Sequence, residues 1–306
     1  MKKSIALLLA PLCCAALFCG CNQETVQPTD LAIVALNGQN MPAIHGDEEA
    51  LLPVIQETVA AEVGSTAAVI IADGQPYLAG LLTFDEKDSK NDTFWAKEQE
   101  ARAESVAAQI GASMASSPET DPIGAIKLAG RQLQAGTADR KRLVVAHSGI
   151  STAGAMAMQN LDLTAVEQIL PQLEEQNYLA DLNGVEVEWY FLGDTSGEQA
   201  PLSPAQTESL RSFWQEYLKQ SGAASVTFHS DLPLYEANSM APMVSTVAVK
   251  AEPITGPVAL ASESLGFEPD SVVISNPEAA AAQLSGLADT LRTPNKTEKR
   301  SKRQQG

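Results

Sequence analysis

The stretch TAAVIIADGQPYLAGLLTF, residues 66–84, decides the fold. It holds two uncharged, apolar runs, 66–72 and 77–84, on either side of Asp73-Gly74. Asp-Gly tolerates the positive φ that tight hairpin turns require, so two antiparallel neighbouring strands are expected here. Before it, residues 31–36 form a continuous apolar run that ends at Asn37-Gly38. A run without polar alternation reads as a strand covered on both faces, as in parallel sheets. Residues 47–63 carry helical spacing at Leu51, Leu52, Ile55 and Val59 and stop at Gly64.

Strand and helix patterns alternate after the hairpin. Residues 93–116, rich in Ala, Glu, Gln and Lys, predict a long helix. Asp121-Pro122 opens another, which closes at Gly136. Residues 142–146 predict a strand that ends in His147-Ser148-Gly149. Thr164 and Glu167 have capping-box spacing and predict a helix to about residue 182. Asn183-Gly184 turns the chain into a strand at 185–192, which ends in Gly193-Asp194. Ser203-Pro204 with Gln206 starts a helix that runs to Gly222, and 225–228 is a last short strand before His229-Ser230-Asp231. The expected class is α/β: a doubly wound, mostly parallel sheet with one antiparallel edge strand and helices on both faces. Residues 31–231 would form this domain. Residues 232–264 lose helical periodicity and read as a linker, with one strand near 244–249. A short C-terminal strand and helix follow at 265–292, and 293–306 is a basic polar tail.

The beginning of the chain has another character. Lys2 and Lys3 precede an uncharged run, 4–20, too short for a membrane-spanning helix, which needs about 20 apolar residues. Residues 1–20 therefore read as an export signal and 21–30 as a polar tether. The junction Leu17-Phe18-Cys19-Gly20-Cys21 resembles the bacterial lipobox, in which a small residue precedes the cysteine that receives lipid. That resemblance implies lipidation of Cys21 and a membrane-anchored, extracytoplasmic location in a bacterial envelope. All four cysteines lie at or before position 21, so the folded part has no disulfide, no thiol nucleophile and no cysteine zinc site.

Charge narrows the partners. The chain has 20 basic and 38 acidic residues. Setting aside Lys2, Lys3 and the charges of the tail leaves 13 basic against 37 acidic. Such a surface repels nucleic acid and anionic lipid, so no nucleic-acid partner is expected.

In open α/β sheets ligands gather at the carboxyl ends of the strands. Asn37, Asp73, His147, Ser148, Asp194, His229, Ser230 and Asp231 arrive there. Of these, Asn37, His147, Ser148, Asp194 and His229 form the candidate ligand rim. A Ser/His/Asp hydrolase on that rim is one reading. Against it, Ala146-His147-Ser148-Gly149-Ile150 lacks both glycines of a nucleophile elbow. The three histidines, His45, His147 and His229, have no metal-ligand spacing, and no cofactor or metal is expected. Gly193-Asp194-Thr195-Ser196-Gly197 resembles one aspartic-protease loop, but those enzymes need two on a β-rich fold; a strand-end turn is expected instead.

The order of elements over 31–231 resembles a von Willebrand factor A-like domain, in which a hairpin after the first strand and helix supplies an antiparallel edge strand. That family binds magnesium on an Asp-x-Ser-x-Ser loop after the first strand, with a Thr and an Asp from two other loops. Here the loop reads Asn37-Gly38-Gln39-Asn40-Met41. Thr120 stands for the Thr, and His147-Ser148-Gly149 replaces the Asp, so the resemblance implies a fold whose metal site is lost. Residues 265–291 resemble the first strand and helix of an OmpA-like peptidoglycan-binding domain. The Asp and Arg that grip the wall peptide come later in that family and are absent here. The expectation is a truncated or frame-shifted member that does not hold peptidoglycan. Together these readings give a non-catalytic, membrane-tethered lipoprotein with an envelope protein as partner. An OmpA-type wall-associated protein and a divergent hydrolase are the alternatives.

Overall fold

The computed structural model describes residues 26–87, 91–160, 162–230 and 232–250, with 277, 280, 281, 284 and 285. The export signal, Cys21, most of the fragment at 265–292 and the basic tail lie outside the described residues.

Five parallel strands and one antiparallel strand form the sheet: β1 (Thr29–Ala35), β2 (Ser65–Ile71), β3 (Tyr77–Phe84), β4 (Arg140–Ala146), β5 (Val185–Tyr190) and β6 (Ser225–Phe228). The order is β3-β2-β1-β4-β5-β6, and β3 pairs antiparallel to β2. The hairpin, the antiparallel edge and the α/β class are as the sequence predicts. β1 is buried along its whole length, which explains its unbroken apolar sequence.

Helices α1 (Leu52–Val59) and α2 (Asp92–Gly111) pack together on one face. Helices α3 (Pro122–Ala135), α4 (Val166–Glu175) and α5 (Pro204–Gln220) cover the other. There, Lys127 of α3 bonds to Asn177 O, and Tyr217 of α5 bonds to Tyr178 O at 3.0 Å. Trp189 of β5 packs on Trp214 of α5 with ring centroids 4.7 Å apart. Ser203 and Gln206 make the predicted capping box.

Several elements differ from expectation: α2 ends at Gly111, short of 116, and α4 at Glu175, short of 182. The predicted helix at 47–63 begins only at Leu52, because Glu48 turns its carboxylate back onto the N–H groups of His45 and Gly46. The predicted capping box at Thr164 and Glu167 does not form. Asp162 caps a 3-10 turn, Leu163–Ala165, by accepting from Thr164 N and Oγ1, and α4 follows it. Residues 232–250, expected as the start of a linker, pack against the domain. Ala241, Val244, Val247 and Val249 are buried there, and among the described residues 244–249 forms no strand.

Candidate functional site

The five parallel strands deliver their carboxyl ends to one rim. His147 stands at its centre and is fully buried. Its Nδ1 accepts from Gly149 N at 2.9 Å. A ring nitrogen that accepts carries no proton, so the neutral ring holds its proton on Nε2. Nε2 then donates to Thr120 Oγ1 at 2.9 Å, and the Thr120 hydroxyl donates to Ala72 O at 2.5 Å. This directed chain ties together the loops after β2 and β4 and the loop between α2 and α3. Burial without a compensating charge lowers the His147 pKa from its usual 6.5 to about 3.

Asn37 is equally committed. Its Oδ1 accepts from Ile44 N at 2.7 Å, and its Nδ2 donates to Ile44 O at 2.9 Å. Ser148 is buried, and its hydroxyl accepts from Ile150 N at 3.4 Å. Asp73 is held by Ser116 and Ser117. Asp194 follows Phe191 in a tight turn and is half-buried. Gly193 and Gly197 flank it at φ 83° and 59°.

His229 belongs to a different group. Its Nε2 lies 3.0 Å from Glu188 Oε2, which also accepts from Tyr190 Oη at 2.9 Å. The His229 and Tyr190 rings stack 4.2 Å apart. Arg142 bonds to Glu188 and, at 2.5 Å, to Glu57, and Glu57 also pairs with Arg140. Burial acts to raise the Glu188 pKa, but the bonds from Arg142, Tyr190 and His229 outweigh it and hold the carboxyl below its usual value. The structure thus separates the two rim histidines: one is part of the core, and the other part of a charged patch on the sheet. Asp231 lies outside the described residues.

The chain itself covers the rim. Tyr235 bridges to Ala43 and meets His45 edge-on at 4.9 Å. Gln39 Nε2 donates to Ala241 O at 2.7 Å. Ser245 N donates to Pro118 O at 2.8 Å, and its hydroxyl to Glu119 at 2.9 Å. Gln199 holds both backbone groups of Val247, at 2.8 and 2.9 Å, and Gln206 Nε2 donates to Val249 O at 2.6 Å. These glutamine amides satisfy backbone groups of a segment that joins no ladder among the described residues. Sequence reasoning missed these contacts of Gln39 and Gln199, and saw in Gln206 only a helix cap, since an isolated polar residue has no periodicity to betray its partner. The available signal was the set of valines at 244, 247 and 249 in a stretch otherwise without pattern.

Among the described residues no group of three His, Cys, Asp or Glu stands together to hold a metal ion, and no helix is long and apolar enough to cross a membrane. No protein-family model matches the sequence, and no curated protein matches it. Solved structures give faint likenesses. A D319A mutant of the PilB minor pilin from Streptococcus sanguinis aligns with 68% of this chain at 10% identity and TM-score 0.41, and this chain spans 58% of the pilin's. An aerotolerance-related membrane protein from Bacteroides fragilis aligns with 66% of this chain and 92% of its own, at 16% identity and TM-score 0.34. BatB, a conserved hypothetical protein from Bacteroides thetaiotaomicron, aligns with 66% of this chain and 91% of its own, at 14% identity and TM-score 0.35. The fold therefore rests on strand order and register alone.

Proposed function

We propose that this is a non-catalytic interaction domain, von Willebrand factor A-like without the family's metal site, tethered outside the bacterial cytoplasm by lipid on Cys21. One observation carries the non-catalytic part: the rim where an α/β sheet binds ligands is occupied by residues 232–250 and centred on His147, buried and with both ring nitrogens engaged. A general base needs access to the proton it takes, and His147 has none. The metal loop is also diverted, since the Asn37 carboxamide is spent on Ile44 and the Met41 side chain is buried. Magnesium at about 10 mM is expected to leave the melting temperature unchanged, because a ligand that binds the native state alone would raise it. A clear rise would restore a metal-dependent mechanism.

The tether is tested by growing cells with an alkyne-tagged fatty acid. Label should enter the wild-type chain and disappear in Cys21→Ala; label in both, or in neither, would remove the anchor. Sedimentation with purified peptidoglycan should leave the protein in solution, whereas co-sedimentation would favour the wall-binding alternative.

A further inference from the structure

The strand β3 is eight residues long, carries no charge and no proline, and ends the sheet order. Alternate N–H and C=O groups of an edge strand face outward and template further pairing, so edges of this length are usually blunted by charge, proline or a cover. Here the interruption is a register shift against β2 that leaves Ala79 as a bulge. Tyr77, Leu78 and Leu81 remain 44%, 38% and 52% exposed. Beside the strand runs a groove against α2, lined by Leu82, Phe84, Asp85, Glu86, Ala101 and Ser105. The nearby Arg102 guanidinium is occupied by Glu98 and by the Glu86 carbonyl. Asp85 and Glu86 are exposed and make no ion pair among the described residues.

We propose that the outer edge of β3 and this groove dock an extended, cationic segment of a partner protein, which adds to the sheet as a further strand. Main-chain hydrogen bonds to β3 supply affinity, apolar side chains on one face of the added strand rest on Leu82 in the groove, and Lys or Arg on the other face passes Leu81 and is drawn to Asp85 and Glu86. Charge selects the occupant. A second copy would bring its own Asp85, Glu86 and acidic surplus into a like-charged contact, whereas a basic segment is attracted. The inference deepens the interaction reading and rests on it only in treating the domain as a binding module.

The probes are fluorescent peptides of about ten residues, one alternating Val with Lys and one alternating Val with Glu, titrated into the full chain. The Val/Lys peptide should bind at least about tenfold more tightly, weaken with added salt, and slow exchange of the outward-facing amides of β3. Leu81→Lys should weaken binding at least about tenfold. The paired Asp85→Lys/Glu86→Lys variant, which alters only exposed side chains, should do the same at an unchanged melting temperature. Equal binding of both peptides, no binding, or unchanged exchange in β3 would overturn the proposal. So would a Leu81-dependent dimer in sedimentation, or β3 amides already protected in the full chain and released by removing residues 293–306. Fatty-acid labelling at Cys21 reads the tether independently, so either idea can fail alone.

Discussion

His147 shows how one side chain makes stability depend on pH. In the unfolded chain a histidine takes up a proton near pH 6.5. In the fold this ring stays neutral down to about pH 3, because burial opposes its charge. Between those values the unfolded state binds more protons, so stability falls as the pH drops from 6.5 and the loss is complete near 3. Each pH unit in this window costs about 1.4 kcal/mol, or about 2 kcal/mol at pH 5. Urea midpoints at pH 7.5 and 5 should show that loss in the wild type. His147→Asn keeps an acceptor for Gly149 N–H and cannot titrate. It should be less stable at pH 7.5 yet show a flatter dependence, and an unchanged slope would exclude His147 as its source. The strand end before His147 is legible in the sequence as a largely apolar run, 142–146. The sequence could not show that Thr120, from another loop, would accept the ring N–H and donate its own proton to Ala72 O.

The segment 232–250 makes the corresponding case among elements. Gln199→Ala leaves the N–H and C=O of Val247 without their partner, at a cost of about 1–3 kcal/mol. The Val247 amide should then exchange faster, and protease should cut within the segment first. Gly38→Ala attacks the same contact from below, since an added Cβ would stand 2.8 Å from Val244 Cγ2. Both variants should loosen this stretch while the sheet amides keep their protection; equal loosening of β1 would mean the two parts unfold together. The sheet and most helix ends were legible because each rests on local signals: apolar runs, Asp73-Gly74, Pro122 with Gly136, Ser203 with Gln206. Residues 232–250 were misread as linker because their order comes from partners far along the chain, 48 residues for Gln199 and Val247 and 200 for Gln39 and Ser239. Thr164 failed for the opposite reason. Two local caps compete within a few residues, and Asp162 takes the Thr164 amide before a capping box can form.

At the scale of the molecule, charge and tether make separable demands. Between the initial lysines and the tail the chain carries 13 basic and 37 acidic residues, which no anionic bilayer attracts. The tail has the opposite sign, with Lys296, Lys299, Arg300, Lys302 and Arg303 against Glu298. A juxtamembrane basic residue adds about 1 kcal/mol of attraction to an anionic surface, and salt screens it. Lipid attachment is held by buried hydrocarbon, and salt leaves it in place. Fractionation therefore separates the two. On the lipid reading the wild-type protein stays with membranes through a high-salt wash and is released by detergent, while Cys21→Ala appears in the soluble fraction at low salt. If Cys21→Ala stays on membranes until salt releases it, the basic tail is the attachment. If it resists salt as well, the uncharged run at 4–20 is an uncleaved anchor and Cys21 carries no attachment. Only the first outcome leaves the domain held clear of the bilayer by its own charge, with the β3 edge open to a soluble partner.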